Sequence, residues 1–323
     1  MEAQQNPFEV TKAVDFSDEE IARTWVDLPG GGFAALAPPR SPMPRFLVGG
    51  KGGGRTHLMR YYSFPLQQLR HADEGFNGIL SDRYLGIYLR CSGLNASRFT
   101  GKGSEDDTWA AVFAYYLDVW LGRLVIESLS ALFRNRDGPQ PEEASTFAGN
   151  VAALFNDPIL NARETRSFDD ISDKLRSLQR TLDSAVNNAA LTRSLDLQIS
   201  ANPGALTFGI PAAAAAAFPD LADIRVAYLI DEFENLSIDQ QMHVNTLVRE
   251  KELPSTFIIG SRLWGIKTHR TLSGDEENKI GSEFEQTILE KHLPAGRPQI
   301  WRFLPRDRTP PAGGARSIDR SRS

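Results

Sequence analysis

The stretch that most constrains this chain is GGKGGGRT, Gly49 to Thr56, which follows the apolar run FLV and precedes residues that favour a helix. Glycines allow positive φ angles, so backbone amides can wrap around an anion, and the N-terminus of the following helix adds a favourable potential. The pattern G-x-x-x-x-G-K-[ST] is matched at every fixed place but one, because Arg55 stands in the lysine position. A strand, a glycine-rich turn and a helix in this order predict a phosphate-binding loop.

Lys51 is the other basic residue that the loop offers. It is followed by Gly52 rather than by Ser or Thr, and placing it in the lysine position would put Arg45 at the first glycine, so that register fails. Arg55 therefore takes the lysine position, with a broad planar guanidinium in place of a compact ammonium. We expect this loop to bind phosphate, and we leave open whether it supports hydrolysis. Taken alone, the glycines also fit a flexible turn without a ligand.

A second motif favours a nucleotide site. The segment VAYLIDE, Val226 to Glu232, has the pattern of a buried strand that ends in two acids. Asp231 at the strand tip is expected to hold Mg²⁺, usually through water, together with the Thr56 hydroxyl of the loop. Glu232 is expected to be the general base that polarises an attacking water. In an open parallel sheet both motifs fall beyond the carboxyl ends of the strands, where ligands bind. The pair predicts a site for ATP with Mg²⁺.

The residues expected to contact the nucleotide form one continuous run. They are Gly49, Gly50, Lys51, Gly52, Gly53, Gly54, Arg55, Thr56 and His57. A further predicted strand, STFIIG, ends at Ser261 and Arg262, and either side chain could sense the γ-phosphate. The alternative is an ordinary strand end that faces water. We therefore take Glu232, Ser261 and Arg262 as the catalytic candidates.

Predicted strands and helices alternate along the chain. Strand patterns occur at RFLVG, RYLGIYLRC, RVAYLIDEFENL and STFIIGSR. Between them, Trp109 to Val125 carries apolar residues at spacings of three and four, and two further helical segments complete a helical insertion at about 105–195. This alternation predicts an α/β domain with a largely parallel sheet.

The remaining segments have simpler patterns. FSDEEIARTWV predicts a short helix capped by Ser17 with Glu20 as its capping-box partner, and LPGGGFAALAPPRSPMP predicts a loop. One helix is expected from Thr56 to about Arg70. We expect an N-terminal lead-in over 1–44, an ATPase domain over 45–300 and a disordered tail rich in Arg, Pro and Ser over 301–323.

Composition limits the kinds of protein that this chain can be. The chain has 323 residues and a formal net charge of −5, so a role in nucleic-acid binding is unsupported by charge. It holds one cysteine, Cys91, and therefore no internal disulfide. The acidic N-terminus is not a signal peptide, and three charged residues interrupt the best candidate for a membrane span, which are Asp118, Arg123 and Glu127. We expect a cytoplasmic protein that does not enter a membrane.

Three segments together, FLVGGKGGGRTHLMRY, YLIDEFENL and FIIGSRLWGIKT, resemble the AAA+ superfamily of P-loop ATPases, most of all bacterial origin-recognition-complex-like ATPases. The resemblance covers roughly Asn6 to Leu293. It implies a P-loop NTPase core with strands in the order 5-1-4-3-2, ATP with Mg²⁺ as ligand, and a conformational change on ATP binding or turnover. It also implies phosphate contacts from Gly49 to Thr56, metal contacts from Thr56 and Asp231, and catalysis by Glu232. The segment NPFE near the start resembles the lead-in that such proteins pack beside the adenine.

These observations predict an ATP-binding module that hydrolyses ATP to drive assembly or signalling with a protein partner or with further copies of itself. One alternative is a non-hydrolysing switch, in which Arg55 prevents turnover and the nucleotide only orders the fold. A second alternative is a DNA-handling ATPase, which rests on family analogy alone.

Overall fold

A computed structural model describes residues 16–25, 32–102, 104–134, 136, 138–156, 159–160 and 167–292. The segment NPFE, expected beside the adenine, and the tail expected over 301–323 lie outside these residues. The boundaries drawn for the lead-in, the ATPase domain and the tail therefore stay predictions.

A five-stranded parallel sheet forms the centre of the described fold. Its strands are β1 (Arg45–Val48), β2 (Tyr84–Arg90), β3 (Arg225–Asp231), β4 (Ser255–Ser261) and β5 (Glu285–Ile288). They lie across the sheet in the order β2-β3-β4-β1-β5. This is the expected order 5-1-4-3-2 counted from the opposite edge, so the prediction of an α/β fold with a P-loop NTPase core is confirmed.

The strand register brings the ends of the two motifs to one side of the sheet. Val48, the last residue of β1, pairs with Ser261 on one side and with Ile288 on the other. The loop after β1 thus begins beside the ends of β4 and β5. Asp231, which ends β3, lies one strand further along, because β4 separates β3 from β1.

Helices cover both faces of the sheet. They are α1 (Asp18–Thr24), α2 (Gly32–Leu36), α3 (Arg55–Tyr61), α4 (Phe64–Arg70), α5 (Gly75–Ser81), α6 (Asp106–Arg134), α7 (Pro141–Ala152), α8 (Phe168–Thr192), α9 (Ala205–Ala217) and α10 (Ile238–Arg249). Since successive side chains of a strand point to opposite faces, the sheet contributes to two cores. Tyr228 and Ile230 of β3 belong to the core that includes α6, whereas Leu229 belongs to a second core with Leu58 of α3.

Four helices, α6 to α9, lie between β2 and β3 in the chain; α6, α7 and α8 fall within the helical insertion expected at about 105–195, and α9 follows it. The apolar stripe expected from Trp109 to Val125 is buried against the rest of the fold. By length and composition α6 could also cross a membrane, but 72% of its most apolar window is buried inside the fold. A core helix meets the same criteria, so packing within the domain accounts for its apolar character.

Local details confirm some predictions and correct others. The capping box of Ser17 and Glu20 is present at the start of α1. The single helix expected from Thr56 to Arg70 is wrong: α3 and α4 are separate helices, and Pro65 in the first turn of α4 has no amide hydrogen with which to continue the preceding helix. The segment expected as a loop contains the one-turn helix α2. No prediction covered α5 or β5, both of which are short.

Candidate nucleotide-binding site

The glycine-rich loop connects β1 to α3 by a tight turn. Gly52 and Gly54 have φ angles of 80° and 82°, in the left-handed region that favours glycine. The amide of Gly53 donates to the carbonyl of Gly50 at 3.1 Å, and the amide of Gly49 donates to the Ser261 carbonyl at 3.2 Å. The glycines thus make a closed turn that leads directly into the first turn of α3.

A carboxylate oxygen lies against this turn. Oε1 of Glu290 accepts a hydrogen bond from the Gly50 amide. A Cβ atom placed on Gly50 would lie 3.1 Å from that oxygen, and one placed on Gly53 would lie 3.4 Å from it. Side chains at these positions would therefore crowd a space that accepts a negatively charged oxygen. One loop amide thus donates to a negatively charged oxygen, which is the kind of contact that a phosphate-binding loop makes.

Arg55 points back toward the sheet. Its Nε donates to Oδ1 of Asp231 at 3.2 Å, one terminal nitrogen donates to the Gly49 carbonyl at 3.1 Å, and the other lies 3.4 Å from Oε1 of Glu234. The planar guanidinium spreads these contacts over three separate nitrogens, whereas the three donors of a lysine all lie on one compact ammonium. Gly260 of β4 makes room for this side chain, because a Cβ there would lie 3.1 Å from Cδ of Arg55 and 2.8 Å from the Asp231 carboxylate.

Asp231 is fully buried at the end of β3. Besides Arg55, its carboxylate accepts hydrogen bonds from the Glu232 amide at 2.8 Å and from the Tyr88 hydroxyl at 3.3 Å. Burial and the charge of Asp231 raise the pKa of Tyr88 far above its ordinary value, so this hydroxyl stays protonated and donates. The carboxylate is thereby held in one orientation at the carboxyl edge of the sheet.

Glu232 leaves the strand with a φ of 58°, in the left-handed region. This turn directs its carboxylate toward β2, where it pairs with Nε of Arg90 at 2.9 Å, and Asn235 donates to it at 3.2 Å. Burial acts to raise the pKa of Glu232, but hydrogen bonds from Arg90 and Ser92 and the charges of Arg90 and Arg55 together outweigh it, so the pKa lies below its ordinary value. Glu232 is therefore ionised at neutral pH and bound to a cation on the neighbouring strand.

Ser261 and Arg262 lie at the end of β4, between the two motifs. The Ser261 hydroxyl is buried, and no partner among the described residues forms a hydrogen bond with it. Arg262 pairs with Glu234 through its Nε at 3.0 Å and also donates its backbone amide to Glu234 at 3.1 Å. One carboxylate, that of Glu234, thus joins Arg55 of the loop to Arg262 of the strand end.

The family-model comparison covers nearly the whole chain. The model described as ORC-CDC6-like matches residues 6–307. This chain belongs to the ORC-CDC6-like family. The prediction of an AAA+ P-loop ATPase is therefore confirmed at the level of family, and the family implies nucleotide binding, typically with Mg²⁺, and often oligomerisation. No curated protein and no solved structure matches the chain significantly.

The structure brings four of the predicted site residues into direct contact with one another. Gly49, Arg55, Asp231 and Ser261 are joined by the contacts described above. Thr56 is half-buried in the first turn of α3, whereas Lys51 is exposed on the loop.

His57 lies away from the phosphate loop, on the face of α3 that packs against the N-terminal helix. Its ring is stacked on Trp25, with centroids 5.6 Å apart, and Trp25 is in turn stacked on Tyr61 at 3.7 Å. Burial, with a smaller contribution from the charge of Arg60, lowers the pKa of His57 to about 4. The imidazole is therefore neutral near pH 7 and packs the lead-in against the loop helix.

Sequence reasoning missed six side chains that contact the site, which are Tyr88, Arg90, Ser92, Glu234, Asn235 and Glu290. The acids had no motif to single them out. Arg90 could have been found from the strand pattern, since it is the last residue of β2 and β2 pairs with β3.

Proposed function

We propose that this chain binds ATP with Mg²⁺ at the loop Gly49–Thr56 and hydrolyses it slowly to drive assembly. The contact between Arg55 and Asp231, at 3.2 Å, is the observation that carries the proposal, because it joins the glycine-rich loop to the acids after β3. The carboxylate oxygen held by the Gly50 amide supports phosphate binding at the same loop. Family membership supports an ATPase of the AAA+ type.

Thr56 and Asp231 are the residues that would hold the metal. Bound Mg²⁺ neutralises charge on phosphate oxygens and thereby favours attack at phosphorus. Asp231 is pre-oriented for this role by Tyr88 and by the Glu232 amide. Arg55 already pairs with Asp231, so a cation bound to this carboxylate would compete with the guanidinium for it.

Glu232 is the proposed general base. Its lowered pKa keeps it ionised near neutral pH, which a base requires, but also makes it a weaker base than an unpaired carboxylate. Arg90 holds this carboxylate from β2, so release of the Arg90 contact would be needed before Glu232 could accept a proton from water. This supports slow rather than fast turnover.

Ser261 and Arg262 are the proposed γ-phosphate sensors. The buried Ser261 hydroxyl has no hydrogen-bond partner among the described side chains and backbone groups, so a phosphate oxygen could satisfy it. Arg262 is linked through Glu234 to the loop arginine. A change at the loop would therefore reach the turn that follows β4.

The turn after β4 supports self-assembly as the process that ATP drives. Leu263 and Trp264 follow the sensor residues, and the Trp264 side chain is 91% exposed. A large apolar side chain in water beside a nucleotide site suits contact with another copy of the chain. Nucleotide-dependent assembly is measured as the molar mass in solution with and without ATP.

A non-hydrolysing switch is the second candidate. Two ion pairs favour it: Arg55 with Asp231, and Arg90 with Glu232. In this case nucleotide binding would rearrange the pairs and order the site, and no phosphate would be released.

The test compares ATP binding and phosphate release by the wild type, Arg55→Lys and Glu232→Gln, all with Mg²⁺. We expect the wild type to release phosphate slowly, Glu232→Gln to bind ATP without release, and Arg55→Lys to release phosphate faster. Glu285→Gln is the matched control, because it removes the same charge at the far end of β5, where Glu285 pairs with Arg45. Binding without release by the wild type, with release restored in Arg55→Lys, would select the switch. No binding by any variant would refute the nucleotide site.

A further inference from the structure

The carboxylate that contacts the glycine-rich loop comes from the chain itself. Glu290 lies two residues beyond the end of β5, and its Oε1 accepts a hydrogen bond from the Gly50 amide. A Cβ on Gly49 or on Gly53 would lie 3.4 Å from the same oxygen. Three glycines of the loop therefore surround one oxygen of Glu290.

Strand register brings this side chain to the loop. Ile288 of β5 pairs with Val48 of β1, and both strands end at this pair. Gly50 lies two residues beyond the end of β1, and Glu290 lies two residues beyond the end of β5. Between them Leu289 is fully buried and lies against Gly49, where an added Cβ would be 3.6 Å from its side chain. Burial of Leu289 fixes the turn after β5, and this places the carboxylate of Glu290 against the loop.

The geometry points to a role for Glu290 in setting nucleotide affinity. We propose that its carboxylate competes with the phosphates of the nucleotide for the loop amides, so that a ligand must displace it to bind. This inference rests on the proposed function, since it concerns the same loop. The oxygen of a carboxylate and the oxygen of a phosphate accept the same amide hydrogen bond, and both carry negative charge, so the two cannot occupy the loop together.

The contact is suited to being exchanged. Glu290 is an exposed residue, so its carboxylate can rotate into water without breaking the core that Leu289 anchors. A ligand with two or three linked phosphates replaces one hydrogen bond by several, whereas a single phosphate gains less over the carboxylate. Because every phosphate ligand must displace the same carboxylate, Glu290 should weaken the binding of each of them by a similar factor.

The test measures binding of ADP and of a non-hydrolysable ATP analogue by calorimetry, with Mg²⁺, to the wild type, Glu290→Gln and Glu290→Ala. Glutamine keeps an oxygen that can accept the Gly50 amide but removes the charge, and alanine removes both. We expect affinity to rise by about fivefold or more in the alanine variant, the change that corresponds to one net hydrogen bond. Glu285→Gln is the matched control, because it removes a charge from the start of the same strand.

A second measurement addresses the contact without any nucleotide. In hydrogen–deuterium exchange, a peptide that spans Gly49–Gly54 should exchange faster in Glu290→Ala than in the wild type, since the Gly50 amide loses its acceptor. The same peptide should be unchanged in Glu285→Gln.

The outcomes separate this inference from the proposed function. Tighter binding and faster exchange in Glu290→Ala support both. Equal or weaker binding by Glu290→Ala, when the wild type binds nucleotide, overturns the competition and leaves the nucleotide site standing. If no variant binds nucleotide, the proposed function fails and the competition fails with it, while the exchange measurement still decides whether Glu290 holds the loop.

Discussion

The insertion is joined to the core domain by a buried carboxylate whose removal has a calculable cost. Asp118 lies in the middle of α6 and is 1% exposed. It accepts the backbone amides of Leu206 at 3.1 Å and Thr207 at 2.7 Å, and the Thr207 hydroxyl at 2.5 Å. These donors belong to the first turn of α9, whose N-cap residue is Gly204 and offers no capping side chain. A side chain from a different helix thus caps α9.

Substitution of Asp118 by alanine should destabilise the fold strongly. It would leave two buried amides and one buried hydroxyl without their acceptor, at about 1–3 kcal/mol for each unsatisfied group when nothing relaxes. Loss of an ordinary helix cap costs about 1 kcal/mol. Allowing for relaxation, we expect Asp118→Ala to lower the free energy of unfolding by about 3–5 kcal/mol, which is a large part of the roughly 5–15 kcal/mol typical of a domain.

Asp118 should also make stability depend on pH. Burial raises its pKa to about 6, although the hydrogen bonds from Thr207 and Leu206 act in the opposite direction. The folded state therefore binds a proton more tightly than the unfolded state, in which the pKa is about 3.9. The contribution of Asp118 is greatest below about pH 4, declines as the pH rises to about 6, and is constant above that, with a total change of roughly 3 kcal/mol.

The assay is urea unfolding of the wild type, Asp118→Asn and Asp118→Ala at several pH values between about 4 and 7.5. Other groups titrate in this range, so the informative quantity is the difference in unfolding free energy between the wild type and Asp118→Asn. That difference should fall by a few kcal/mol as the pH rises from about 4 to 6. A difference that stays constant across the range would show that the raised pKa is wrong. A loss below about 1 kcal/mol in Asp118→Ala would show that the cap contributes little.

Three further predictions concern the core, the base and the exposed tryptophan. Gly86→Ala should greatly reduce the urea midpoint, because the new Cβ would lie 1.8 Å from the Tyr62 carbonyl oxygen; Gly93→Ala, which meets nothing within 4 Å, is the control. Arg90→Gln should raise the pKa of Glu232 and increase phosphate release, since the cation that holds the carboxylate is lost; slower release would mean that Arg90 positions the base for reaction. Trp264→Ala should leave the melting temperature of the monomer nearly unchanged but reduce the molar mass measured with ATP; an unchanged mass would exclude this turn from the assembly.

The long elements of the fold were predictable because each carries its own periodic pattern. The stripe in α6 and the apolar runs of β2, β3 and β4 are visible in single segments of sequence. In contrast, β5 has four residues, and only its central Thr287 is buried within the strand. This segment is a strand because it pairs with β1, and the sequence of the segment itself does not reveal that pairing.

The residues of the candidate site also differ in how far the sequence alone could predict them. The glycines, Arg55 and the acid pair lie in contiguous motifs, so their types and spacing could be read directly. Glu290 reaches the loop only through the β1–β5 register, which joins residues that are distant in sequence. Glu234 links Arg55 to Arg262 because the turn that begins at Glu232 places its carboxylate between them. Neither position could be inferred without the three-dimensional arrangement of the strands.

The strand order also sets when the nucleotide site can be built during synthesis. β1 emerges early, but both of its neighbours come late: Arg45 pairs with Ile258 of β4 and with Glu285 of β5, and the second pairing spans 240 residues. Contacts this distant in sequence close large loops and form slowly. A chain emerging from the ribosome must therefore shield the apolar residues of β1 for most of its synthesis, which makes this short strand a site where a chaperone would act or where misfolding would begin. ATP, on this account, can stabilise only a domain that is nearly complete.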